Sequence, residues 1–234
     1  MFVPPMGIYT LLVTFVVVLF AALIWREQAR HRETVRRQRR AMWDRCLTMF
    51  EQPSIAQDDI DFPVLKGLYD GRRVTLEPIA DHVGYRKLPQ LWLRATVFAR
   101  LPVQGTFDYL ARPENIEFYS SVWSLPVNVT VPPSWPQHAI LRTDTAERMP
   151  PLNVVSRHIN MFDDPRLKEL VITPRGVRTV FQLDQGQRAH YAVMRSLRFD
   201  GLQVAPDGLE MLLDRMLALI VDLERADLKQ IAAA

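Results

Sequence analysis

Five histidines, one cysteine and two adjacent aspartate pairs are the residues of this 234-residue chain best suited to chemistry. Metal binding needs ligands at close, regular spacing or a recognisable loop. His31, His82, His138, His158 and His190 never stand three or four positions apart, and none is near Cys46. Neither HExxH nor an acidic calcium loop occurs, so a metal site would have to be assembled from distant positions. A lone thiol can form neither an internal disulfide nor a Cys-based zinc site, and it fits a reducing compartment. Cys46 reads as a small buried hydrophobe, with palmitoylation as the sharper alternative. Phosphate-cradling loops of the GxGxxG or GxxxxGK[ST] type are absent, as is a GxSxG nucleophile elbow. Asp58-Asp59 reads as connector, and Asp163-Asp164 before Pro165 as a turn or cap. The expectation is a non-enzymatic chain with no catalytic, cofactor-binding or metal-binding residues.

Charge and hydropathy say more. Residues 7–25, GIYTLLVTFVVVLFAALIW, carry no charge. Nineteen residues of helix span about 28 Å, close to the hydrocarbon core of a bilayer. Tyr9 and Trp25 stand where amphipathic rings favour the interface. Residues 1–6, MFVPPM, lack the positive charge of a signal peptide, and the run passes directly into Trp25 and Arg26 without a small-x-small site, so an uncleaved anchor is expected. Residues 26–45 hold eight arginines against Glu27, Glu33 and Asp44, a net +5 out of +3 for the whole chain. The remainder is therefore −2, which argues against a nucleic-acid-binding domain, since such domains spread basic residues over a folded face. Positive flanks stay cytoplasmic. The expectation is a bacterial-type inner membrane with residues 1–6 outside and the C-terminal domain in the cytoplasm. The sequon Asn128-Val129-Thr130 is then only strand sequence.

The segment 26–50 contains no glycine or proline, which predicts a basic juxtamembrane helix continuing the anchor. Its Arg26, Arg30, Arg32, Arg36, Arg37, Arg39 and Arg40, with Trp25, are candidate contacts to anionic lipid headgroups or to acidic partner subunits. Met42, Trp43, Cys46, Leu47 and Phe50 recur on one helical face, which should pack on the domain or on another protein. Residues 51–62, polar and interrupted by Pro53, read as a linker, and a domain is expected over 63–226 with a tail over 227–234. A chain beginning near Ile60 is accordingly expected to fold alone.

Within that domain, Asp70-Gly71 between two β-forming runs predicts a hairpin over 64–79. A further strand is expected over 91–101, one within 127–131 and one over 138–142. Thr173-Pro174-Arg175-Gly176 predicts a second hairpin over 167–184. Residues 114–123 suit a short helix, and 153–162 and 188–197 suit helix or strand. Leu209, Leu212, Leu213, Met216, Leu217, Ile220 and Leu223 form an apolar stripe that predicts a core-packing helix over 206–226. The fold class expected is α+β, a mainly antiparallel sheet with a C-terminal amphipathic helix.

Aromatic residues are the remaining clue. Trp123 and Trp135 flank a proline-rich stretch and, with Trp43, are candidates for partner docking; core burial is the alternative for at least two of Trp92, Trp123 and Trp135. The layout of an outside N-terminus, one helix and a cytoplasmic β-containing domain resembles the H subunit of purple bacterial photosynthetic reaction centres. No stretch of residues carries that resemblance. It implies an accessory or assembly subunit of a larger membrane complex, such as an energy-converting one, with other integral subunits as partners. A membrane-tethered enzyme or a ligand or lipid sensor is the competing expectation.

Overall fold

The structure is a computed structural model describing residues 6–81, 90–114, 117–185, 199 and 202–232. Helix α1 (Met6–Arg40) leads into an antiparallel sheet of nine strands. These are β1 (Glu51–Ala56), β2 (Val64–Tyr69), β3 (Arg72–Ala80), β4 (Gln90–Phe98), β5 (Phe107–Ala111), β6 (Val127–Asn128), β7 (Ala139–Thr143), β8 (Leu167–Thr173) and β9 (Gly176–Gln185). Among the described residues the other α-helices are a short α2 (Leu152–Ser156) and a long α3 (Pro206–Ala232). The spatial order is β1-β2-β3-β4-β9-β8-β5-β7-β6. The α+β class with a large antiparallel sheet and a C-terminal helix is as expected.

Both expected hairpins form, for the expected reasons. Asp70 and Gly71 have φ of 49° and 70°, the two positive values that a two-residue turn matching strand twist requires. At the second, Thr173 pairs with Gly176 across Pro174-Arg175. The apolar stripe of α3 is buried from Leu209 to Leu223. It packs on one face of the sheet, where Thr179 Oγ1 donates to Met216 Sδ at 3.4 Å. That face carries Leu76, Leu93, Ala95, Phe107, Tyr109 and Leu170 among others.

Four elements differ from expectation. The segment 51–62 is not a linker throughout, because its first half is strand β1. Exposed on both sides, an edge strand has no hydrophobic alternation to announce it. Pro53 and a bulge at Gln52 (φ 50°), which blunt an edge against further pairing, look like breaks when read along the chain. Helix α1 stops at Arg40 rather than running to residue 50. In a continuing helix the Met42 carbonyl would accept from Cys46 N; here it accepts from Val204 N at 3.0 Å, and Cys46 N turns to Trp43 O at 2.8 Å. Tertiary hydrogen bonds thus replace helical ones, and tight turns at Ala41–Trp43 and Leu47–Met49 bend the chain onto the domain. Residues 114–123 make no helix among those described, only a turn at Val122–Ser124, and the expected tail continues as helix to Ala232. Residues 153–162 take helical and tight-turn form, the strand near 127–131 is two residues long, and 188–197 lie outside the described residues.

The domain therefore begins near Met42, not at residue 63. Met42, Trp43, Cys46 and Phe50 belong to its main hydrophobic core. A chain beginning at Ile60 would lose those four side chains and β1, and is expected to aggregate or populate a loosely packed state. One beginning at Gln38 is expected to give a cooperative thermal transition. Cooperative unfolding of the shorter chain in circular dichroism would overturn this boundary.

Candidate functional site

Helix α1 is long and apolar enough to cross a membrane, and its apolar stretch is exposed rather than packed on the domain. Trp25, 77% exposed, ends that stretch. Measured along the helix axis, Arg26, Arg30 and Arg32 lie within about 11 Å of Trp25, whereas Arg36, Arg37, Arg39 and Arg40 lie about 16 to 23 Å beyond it.

The basic residues have different partners. Arg37 Nε donates to Glu33 Oε1 at 2.8 Å, and Arg30 lies 3.9 Å from Glu27. The Arg37 guanidinium beside it holds the Glu33 carboxyl below its ordinary range. Arg32 and Arg39 face the domain. Arg32 Nη2 donates to Asp59 Oδ2 at 2.7 Å. Arg39 donates to the Ile60 carbonyl, with its guanidinium 4.4 Å from the centre of the Phe62 ring. Gln57 Nε2 donates to the Arg36 carbonyl at 3.1 Å and to the Asp61 carbonyl at 2.9 Å. Residues 57–62, assigned from sequence to a linker, thus form a bracket that grips two turns of the helix. Below it, Trp43 Nε1 donates to Pro63 O at 2.8 Å. Among the described residues the side chains of Arg26, Arg36 and Arg40 make no hydrogen bond or ion pair within the chain.

Two of the three tryptophans suggested for docking are occupied inside the fold. Trp43 is fully buried beneath the bracket. Trp135, 3% exposed, donates from Nε1 to Ser156 Oγ at 2.8 Å and meets the Tyr109 ring edge-on at 5.4 Å. Both rings pair an apolar body with an N–H that finds a buried acceptor, so neither is open to a partner. Trp123 is 54% exposed and sits 5.5 Å from the Arg142 guanidinium. Cys46 is buried, its thiol 3.4 Å from Val204 O, and burial pushes its pKa up to about 11. Lipidation of that thiol would require unpacking the core.

Among the described residues no three His, Cys, Asp or Glu side chains are placed to share a metal ion; His82 and His190 lie outside them. His158 Nε2 and Asp222 Oδ2 are 3.0 Å apart, joining α3 to the segment after α2. His158 and then Arg157 hold the Asp222 carboxyl below its ordinary range.

Sequence reading missed the most unusual chemistry in the domain. Asp108 on β5 and Glu169 on β8 are fully buried acids on the sheet face opposite α3, and among the described residues none of their four carboxyl oxygens has a well-formed hydrogen bond within the chain. Buried polar groups are normally satisfied, so such a cluster calls for an explanation. The sequence signal was an acid inside each of two runs, FDYLA and LKELV, that are otherwise largely apolar. Comparison with protein-family models, with curated proteins and with solved structures gave no match.

Proposed function

We propose that this is a non-catalytic, single-pass protein of a bacterial-type inner membrane, N-terminus outside, whose cytoplasmic domain braces or helps to assemble a larger membrane complex, such as a photosynthetic or respiratory one. The observation that carries this reading is the junction. A flexible tether would leave the domain free to tumble, but here the bracket 57–62 fastens the last two turns of the helix to the domain and buried Trp43 fastens the chain just beyond it. A rigid coupling suits a part that must hold a fixed position against neighbouring subunits. The charges divide accordingly. Arg26, Arg30 and Arg32 fall within the headgroup layer and about one screening length of it, where anionic lipid attracts them. Arg36 and Arg40 stand beyond it on an upright helix and are better placed for an acidic partner.

Purification from native membranes in gentle detergent, followed by mass spectrometry and an absorption spectrum, tests the proposal. Stoichiometric integral subunits are expected to accompany the protein, and their retention should weaken when Arg36 and Arg40 are changed to Glu. A protein that emerges alone would favour the tethered enzyme or sensor instead, for which the buried acid pair is the supporting observation. Orientation has its own test. Changing Arg26, Arg30, Arg36, Arg37 and Arg40 to Glu takes the flank from +5 to −5 and leaves the bracket contacts of Arg32 and Arg39 in place. The N-out orientation is expected to become mixed or to invert. Unchanged protease protection in right-side-out and inverted vesicles would overturn charge control of topology.

A further inference from the structure

The buried acids lie under a roof. Residues 117–126 cross the outer face of the sheet and close over an apolar cluster of Trp92, Leu110 and Val180, with Tyr119 and Val122 pressing down from the roof itself. Asp108 and Glu169 are diagonal neighbours in this layer, since Glu169 pairs with Leu110 and Asp108 with Val171. Three arginines from three strands rise beside them, and each donates to the roof. Arg94 of β4 reaches Tyr119 O at 3.5 Å, Arg142 of β7 reaches Leu125 O at 2.8 Å, and Arg178 of β9 reaches Ser121 Oγ at 3.4 Å. The roof is therefore fastened by three cations, one of which, Arg178, also lies 3.8 Å from the Glu169 carboxylate.

We propose that Asp108 and Glu169 form a proton-binding site that latches this roof: the pair holds one proton while residues 117–126 are closed and gives it up as they lift.

The charge balance around the pair supports a single shared proton. Glu77 of β3 lies 3.1 Å from Arg94 and already matches its charge. Arg142 stands opposite Asp108 in register but turns its guanidinium to Leu125 O and the Trp123 ring. Among the described residues, Arg178, 3.8 Å from Glu169, is the cation within ion-pair distance of the two acids. One cation balances one carboxylate, and two adjacent carboxyls buried in one layer cannot both ionise cheaply. From the roof side Glu117 adds a further negative field, felt at Tyr119. Burial first, and then the neighbouring Glu169 charge, push the Asp108 carboxyl up to about 8, against the pull of Arg178. Glu169 is raised as well, chiefly by burial.

Losing the shared proton acts on the roof in two ways, both towards opening. A second buried charge is relieved only by water, and water enters when 117–126 lift. The new carboxylate also competes for Arg178 and Arg142, which now donate to a neutral hydroxyl and a carbonyl, and an ionised oxygen is the stronger acceptor. The sign follows from the raised carboxyl. Closure is most favourable below the ordinary carboxylate range, weakens as pH rises, and loses the last of this contribution once pH passes about 8. The opening equilibrium should rise by up to about tenfold per pH unit within that window and level off above it.

Hydrogen exchange of the 117–126 amides in the full-length protein in detergent micelles, corrected for intrinsic rates, reads this directly. About 50-fold more opening is expected at ~pH 8 than at ~pH 6, while amides of β8 and β9 keep their protection. Asp108→Asn, which keeps the shape and cannot ionise, is expected to abolish the dependence. Equal opening at the two pH values, or a dependence that survives Asp108→Asn, would overturn the proposal. Should that variant fail to fold, infrared difference spectra of the unaltered protein decide: a protonated-carboxyl band that fades as pH is raised past 8 is expected, and its absence overturns the latch. The proposal does not rest on the anchor's orientation or on any partner, and its failure would leave the bracing role untouched.

Discussion

Replacing Trp43 with alanine is expected to cost about 3–5 kcal/mol of unfolding free energy, the range for truncating a large buried aromatic. Trp43 is completely enclosed, and its indole N–H is bonded to Pro63 O. Its neighbours Met42 and Cys46 are buried beside it, and Val204 N closes on the Met42 carbonyl. Removing the ring opens a cavity where α1 joins the domain and leaves the Pro63 carbonyl without its donor. Trp43→Phe should cost less, since much of the volume is kept and the main loss is one hydrogen bond, about 1–3 kcal/mol with a buried acceptor left behind. Urea unfolding of the full-length protein in micelles, followed by circular dichroism, checks both values. A Trp43→Ala change within about 0.5 kcal/mol of the unaltered chain, the range of ordinary surface substitutions, would mean that residues 41–50 are not part of the domain's cooperative unit. The same variant also bears on the bracing role. With the junction loosened, partners held by the domain and partners held by the basic helix should separate during purification.

A comparable loss is expected from Gly176→Ala, for a different reason. Gly176 has φ of 141°, and a Cβ there would stand 2.1 Å from the Val97 carbonyl oxygen and 3.0 Å from the Phe98 Cα. These are backbone atoms of β4, which Gly176 pairs at Phe98, so no side chain can swing aside. Either β4 and β9 part at this end or the β8–β9 turn rebuilds, and the central pairing of the sheet is where the damage falls. A cost of about 4 kcal/mol or more is expected. Gly71 provides the control. Its φ is 70°, but nothing lies within 4 Å of its added Cβ, so Gly71→Ala should cost only about 1 kcal/mol of backbone preference. Equal losses at the two positions in the same unfolding experiment would show that conformational preference, not the approach of β4, explains the glycine at 176.

The two glycines also mark how far local sequence reaches. Both turns were legible, because turn chemistry depends on the residues that make the turn. At Gly71 that is the whole account. At Gly176 the demand comes from Val97, almost eighty positions away, and nothing local to the turn records it. The bracket shows the same limit. Gln57, Asp59 and Phe62 are ordinary loop residues until the fold sets them against Arg36, Arg32 and Arg39.

By itself the sequence determined what depends on neighbours along the chain. The uncharged run of 7–25 and its asymmetric flanks specify an apolar helix with one basic end. Asp70-Gly71 and Thr173–Gly176 specify two hairpins, and the stripe from Leu209 to Leu223 specifies a helix with one buried face. Hydrophobic period and turn preference are local quantities, so they survive reading in one dimension. Tertiary structure alone decided where α1 ends, because Val204 takes the carbonyl bond that would have continued it. It decided that Trp43 and Trp135 are buried while Trp123 is open, since a tryptophan's exposure depends on what lies above it rather than on its neighbours in sequence. It decided the fate of the acids too. Asp108 and Glu169 are sixty-one positions apart, and each reads as an unremarkable carboxylate until β5 and β8 pair and residues 117–126 close above them. Burial and mutual proximity create their shared titration, and both are properties of the assembled sheet.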